Sequence, residues 1–99
     1  MIRHIAMITF IEGVTDAEVS RIENALASLP ARIPQIVDYA FGRDLDLDDA
    51  NADFVIVGDF ATVEDYRTYV EHPDHVAVLA TEIKPVAASV ARIQITLPG

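Results

Sequence analysis

The chain contains no cysteine, which excludes a disulfide framework, a thiolate nucleophile and a cysteine-built zinc site. Positive charge is scarce. Seven lysines and arginines stand against sixteen aspartates and glutamates, a formal net charge of −9. Such a surface repels phosphate backbones, so nucleic acid is not an expected partner. Long apolar runs are missing too. No stretch reaches the roughly 20 residues of a membrane span, and the opening MIRHIAMITF has no basic segment followed by an uninterrupted apolar one, so neither a membrane anchor nor a signal peptide is expected. A soluble, cytoplasmic protein is the default reading. No HExxH or comparable ligand motif occurs, and no metal is expected. Ninety-nine residues make one domain, 1–99, with no room for a separate cofactor domain.

Apolar residues, by contrast, are plentiful: 52% of the chain, with a mean hydropathy of +0.28. A domain of this size buries only roughly 65% of the surface its unfolded chain exposes. The surplus calls for a second copy to cover it.

Ile2 to Ile11 reads as a strand with two apolar faces. One carries Ile2, His4, Ala6, Ile8 and Phe10; the other carries Arg3, Ile5, Met7, Thr9 and Ile11. A sheet with helices on one side normally shows polar residues on the other, so the second face also requires cover. After Gly13, TDAE forms a capping box in which the Thr15 hydroxyl accepts from the Glu18 N–H and the Glu18 carboxylate reaches back. The helix it opens carries Val19, Ile22, Leu26 and Leu29 on one stripe. Pro30 and Pro34 end it and begin a connection. IVDYAFGR (Ile36 to Arg43) and DFVIVGDF (Asp53 to Phe60) read as strands joined by the acidic loop DLDLDDANA. That loop places Asp44, Asp46 and Asp48 like the first ligands of a calcium loop, but Asp49 replaces the turn glycine and Val55 the bidentate glutamate. It reads as a solvated hairpin loop whose charge blunts the sheet edge. Gly42 and Gly58 read as backbone devices, Gly58 marking a bulge or a close approach.

TVED opens a second helix from Thr62 to about Glu71; Pro73, suited to a first helical turn, opens its continuation to about Ile83. VAASVARIQITL is a final strand. The order is β-α-β-β-α-β with the second helix broken in two. This is the ferredoxin-like α+β plan, a four-stranded antiparallel sheet with helices on one face. It predicts a homodimer with sheets packed face to face.

The break carries the chemistry-bearing residues. DYRTYVEHPDHVAVL, Asp65 to Leu79, holds two of the three tyrosines and two of the three histidines. His75 lies in the first turn after Pro73, where the helix N-terminus disfavours imidazolium, and a neutral imidazole is what a general base requires. Tyr69 sits close to the break and is placed to donate to a substrate carbonyl. The same two residues equally suit a structural lock on the break, and His4 equally suits a hydrogen-bonded core histidine. His72, three residues before His75, is separated from it by the proline, which does not favour a shared metal.

RHIAMITF, GVTDAEV, ADFVIVGDF and above all Tyr69-x-x-His72-Pro73-x-His75 together with His4 resemble the Dabb family, the stress-responsive dimeric α/β barrel proteins. The resemblance spans essentially the whole chain. It implies a dimeric α/β barrel and a pocket between sheet and helices, on the His4 side of the first strand. Members that act as polyketide cyclases close a linear poly-β-keto thioester by an intramolecular aldol reaction without metal or cofactor. Their catalytic histidine and tyrosine fall on His75 and Tyr69, and a pocket histidine falls on His4. Leu26 stands where they have an aromatic, and Phe54 where they have a histidine. The implied ligand is a small apolar carbonyl or phenolic compound, with Ile8, Phe10, Ile22, Leu26 and Phe54 as expected lining. Two other readings stand beside the cyclase: a non-catalytic stress or structural protein, and a cofactor-free monooxygenase of the antibiotic-biosynthesis type.

Overall fold

The computed structural model describes residues 1–98; Gly99, the last residue of the expected domain, lies outside it. Within those residues the order is β1 (Ile2–Phe10), α1 (Asp16–Ala27), α2 (Leu29–Arg32), β2 (Ile36–Arg43), β3 (Phe54–Phe60), α3 (Val63–Glu71), α4 (Pro73–Val78), a π-helical turn (Leu79–Ile83) and β4 (Ala87–Thr96). The described strands form one antiparallel sheet in the order β2-β3-β1-β4, the ferredoxin-like plan.

Local signals explain most boundaries. The Thr15 capping box is complete, with both reciprocal hydrogen bonds made. Gly13, at φ +84°, makes the left-handed turn that brings the chain off β1, a conformation costly for other residues. Thr62 caps α3 by accepting from the Asp65 N–H. Arg43, at the end of β2, reaches Asp16, Ser20 and Glu23 and ties that strand to α1.

Three elements differ from expectation. Pro30 does not end helical structure: it stands early in the short helix α2, where its missing N–H costs nothing. The continuation after Pro73 is α-helical only to Val78. It then widens so that the Lys84 N–H bonds to the Leu79 carbonyl, five residues back, at 2.8 Å. Strand ends shift by a residue, as where Ile11, expected in β1, follows a register irregularity at Thr9/Phe10.

The core lies between the helices and the even-numbered face of β1 and β3. Ala6, Ile8, Phe54, Ile56 and Phe60 from the sheet meet Val19, Ile22, Leu26 and Leu29 from the helices. Fully burying each of the larger of these side chains is worth about 1.5–3 kcal/mol. The odd-numbered face carries Ile5, Met7, Val57, Ile93 and Ile95 with no helix over them; Met7 and Ile93 are 42% and 53% exposed. Among the described residues no helix is long and apolar enough to cross a membrane.

Candidate functional site

The register sets one row of the sheet across all four strands: Tyr39 of β2 faces Gly58 of β3, Gly58 faces His4 of β1, and His4 faces Gln94 of β4. These residues share the parity of the buried face, so they turn toward the helices. Gln94 Nε2 lies 2.9 Å from His4 Nδ1. An amide nitrogen only donates; Nδ1 therefore accepts, and neutral His4 carries its hydrogen on Nε2. Burial, with His75 and Arg92 nearby, lowers the His4 pKa from 6.5 to about 4.

The helix break supplies the opposing group. His72 leaves α3 in an extended conformation and caps α4, its Nδ1 accepting from the Asp74 N–H at 3.1 Å. That cap, with Pro73 in the first turn, brings His75 back over the end of α3. There His75 Nδ1 lies 3.0 Å from the Val70 carbonyl. A carbonyl only accepts, so Nδ1 holds the hydrogen and Nε2 keeps its lone pair. Burial lowers the His75 pKa, the Val70 carbonyl opposes that shift, and His72 adds to it. Both histidines are thus neutral at pH 7 and are locked in opposite tautomers.

Tyr69 fills the space between them and the sheet. Its ring lies 4.2 Å from that of His75, 4.9 Å from Phe60 and 6.3 Å from His4, centre to centre. Its hydroxyl is 2.7 Å from that of Tyr39, and the residue is 1% exposed. Burial raises both phenols, Tyr39 to about 12 and Tyr69 further, so each stays protonated. Gly58 makes this aromatic cluster possible. A Cβ there would stand 3.1 Å from the Phe60 ring and 3.3 Å from that of Tyr39. The register runs unbroken through Gly58, so it marks a close approach and no bulge.

Beside this cluster, between the sheet and the α3–α4 break, lies a cavity of about 170 Å³. Ala6, Ile8 and Ile56 form its floor, and Val70, Leu79 and Ile83 its helical wall. His4, His75, Tyr66 and Tyr69 line one end, and Lys84 and Arg92 also border it. Among the described residues every buried side-chain polar atom has a partner.

Of the residues expected here, His4, Ile8, Tyr69 and His75 come together at this cavity. Four do not. Ile22 and Leu26 are 0% and 1% exposed and pack in the core, because α1 is closed against α4, the π-helical turn and β2 and leaves no space beside them. Phe10 and Phe54 pair at 6.1 Å toward the acidic loop, where Phe54 helps line a larger, open hollow of about 380 Å³ with Gly42, Leu45 and Leu47. That hollow is remote from the histidines. The structure adds Tyr39, Gln94, Arg92 and Lys84, which sequence reading passed over. Only the pairing of a glycine with neighbouring aromatic positions hinted at Tyr39, and Gln94 and Arg92 needed the β1–β4 register.

The family model described as Stress responsive A/B Barrel Domain matches residues 2–96. A dimeric ferredoxin-like protein of unknown function from Thermobifida fusca is similar at 43% identity and TM-score 0.90, over 97% of this chain and 90% of that one. Two more distant structures share the fold: a hydroxynitrile lyase from Passiflora edulis (19% identity, TM-score 0.82, 98% and 96% covered), and a cofactor-independent oxygenase from Streptomyces nogalater (16%, 0.76, 99% and 93%). No curated protein matches the chain.

Proposed function

The chain belongs to the stress-responsive A/B barrel (Dabb) family, and on that premise we propose that it is a homodimer whose subunits each bind a small apolar carbonyl compound and activate it without a cofactor. The uncovered apolar face, and a 43% identical relative described as dimeric, support pairing through the outer sheet surface.

The observation that carries the chemical reading is the opposite locking of the two histidines around one cavity. His75 Nε2 offers a lone pair and His4 Nε2 a hydrogen. In an intramolecular aldol closure of the polyketide-cyclase type, His75 takes a proton from a carbon flanked by carbonyls. His4 Nε2–H and the Tyr69 hydroxyl donate to the enolate oxygen, with Tyr39 turning its own hydrogen onto Tyr69. The carbanion then adds to a second carbonyl of the same chain, forming the C–C bond, and the His75 proton passes to the new alkoxide. The Val70 carbonyl, holding Nδ1–H, stabilises the transient imidazolium.

Deuterium exchange at the central carbon of a β-diketone, followed by NMR, tests the base directly. Exchange faster than in buffer, falling by about 10²–10⁴-fold in His75→Ala, is the expected result. Buffer-rate exchange with the native protein, folded and dimeric, sinks the catalytic reading. The non-catalytic alternative is favoured by the 1% exposure of Tyr69 and the pairing of its hydroxyl with Tyr39; it requires that Tyr69→Phe lower stability while leaving exchange unchanged. Oxygen uptake with an oxidisable phenol distinguishes the monooxygenase alternative from both.

A further inference from the structure

Seven cations serve this chain, and their placement is uneven. Arg3, Arg21, Arg32 and Arg43 each pair with at least one carboxylate. Arg67, Lys84 and Arg92 make no ion pair among the described residues. Two of those three, Lys84 and Arg92, border the histidine cavity.

The acids are distributed in the opposite sense. The chain has sixteen, yet none lines this cavity. Of the carboxylates that flank it in sequence, Glu82 is held by Arg21 and Asp74 by Arg32. Here the cavity mouth is kept positive.

The two cations arrive from different elements. Arg92 stands on β4 opposite Ala6, two residues from Gln94 and on the same face. Lys84 follows the π-helical turn, held by its N–H to Leu79. Both are exposed, so neither pays desolvation before a ligand arrives, and both have apolar wall immediately inward of them. The cavity, at about 170 Å³, matches one that accepts a single benzene ring.

We infer that the ligand is a small apolar carboxylic acid, its carboxylate held by Arg92 and Lys84 at the mouth and its ring-sized body, with a carbonyl, turned inward to the histidines. This rests on the carbonyl-activating reading above and adds a charge to its substrate class. A planar guanidinium takes a carboxylate through two parallel hydrogen bonds, while the lysine supplies a mobile second charge.

The test uses the native dimer and a matched pair of probes, 3-oxo-3-phenylpropanoate and its neutral amide, with affinities measured by ligand-observed NMR or calorimetry. The acid is expected to bind at least about tenfold more tightly than the amide at low salt. That preference shrinks to within about twofold in Arg92→Gln/Lys84→Gln and survives in Arg67→Gln, which removes an unpaired cation elsewhere. All three positions are outside the packed core, so folding is retained. Equal binding of acid and amide overturns the anion inference and leaves the cavity reading standing. A preference that persists in the double variant also overturns it, since the charge is then read elsewhere. Failure of both probes to bind overturns the inference together with the reading it rests on.

Discussion

The two faces of the sheet are built by the same strands one residue out of phase, and they are furnished differently. The inner face carries aromatics and, among its polar residues, His4 and Gln94, which are hydrogen-bonded to each other. The outer face carries aliphatic side chains, with Ile5 of β1 between Val57 of β3 and Ile93 of β4. Its one buried charge, Asp59, is held by a two-pronged Arg3 guanidinium at 2.8 and 2.9 Å, which keeps the carboxyl below the usual carboxylate range. A polar group in a core needs a specific partner and so fixes a specific geometry. Aliphatic surface needs only to be covered. The inner face is thus suited to chemistry and the outer one to association.

The largest effect that would break this contrast is on the outer side. Ile93→Asp leaves the single subunit folded, since the residue is 53% exposed there. In a face-to-face dimer, twofold symmetry buries the charge twice, and association is expected to weaken by at least about 4 kcal/mol. Analytical ultracentrifugation should find monomer; an intact dimer at micromolar concentration would put the interface elsewhere.

Next in size is the inner-face histidine. Its folded pKa, about 4, lies below its ordinary 6.5. Between those values the unfolded chain binds the proton that the folded chain refuses, so stability falls as pH falls. The contribution is whole above about pH 6.5 and gone by about pH 4, about 3 kcal/mol at 1.4 kcal/mol per unit. Denaturant titrations of native protein and His4→Gln across that range should diverge by this amount. Parallel curves would mean that His4 titrates normally.

Gly58→Ala tests how tightly the inner row is filled. Its new methyl meets two rings at 3.1–3.3 Å, and an overpacking cost of about 1–3 kcal/mol is expected, read as a lower melting temperature. An unchanged value would show that the rings yield freely. Smallest is Tyr39→Phe, which removes one hydroxyl of a pair and should cost about 0.5–1.5 kcal/mol; a larger loss would make the pair part of a wider network.

Much of the fold was legible because its signals are local. Alternation along Ile2–Phe10, the Thr15 and Thr62 caps, and Pro73 each specify backbone geometry within a few residues. The doubly apolar parity of β1 also made the uncovered face readable. The site was legible only where it coincided with such a signal, at the His72–Pro73–His75 break. Ile22 and Leu26 were misassigned to the lining because helical periodicity gives the buried stripe and not which part of it closes against neighbours. Gln94 and Arg92 lie about ninety residues from His4 in sequence, and only the β1–β4 register makes them neighbours. The widened turn at Leu79–Ile83 has no composition cue at all, since LATE is ordinary helix sequence.

That turn has a consequence of its own. A π-helical turn amounts to an α-helical stretch with one surplus residue, and an α-helix advances roughly 100° per residue. Trimming one residue between Leu79 and Glu82 would therefore rotate Ile83 and Lys84 by about that angle relative to the sheet, with no strand, cap or histidine altered. The wall beside the histidines can thus be re-aimed by chain length alone, so that a single insertion or deletion serves as a coarse dial on the shape of the cavity.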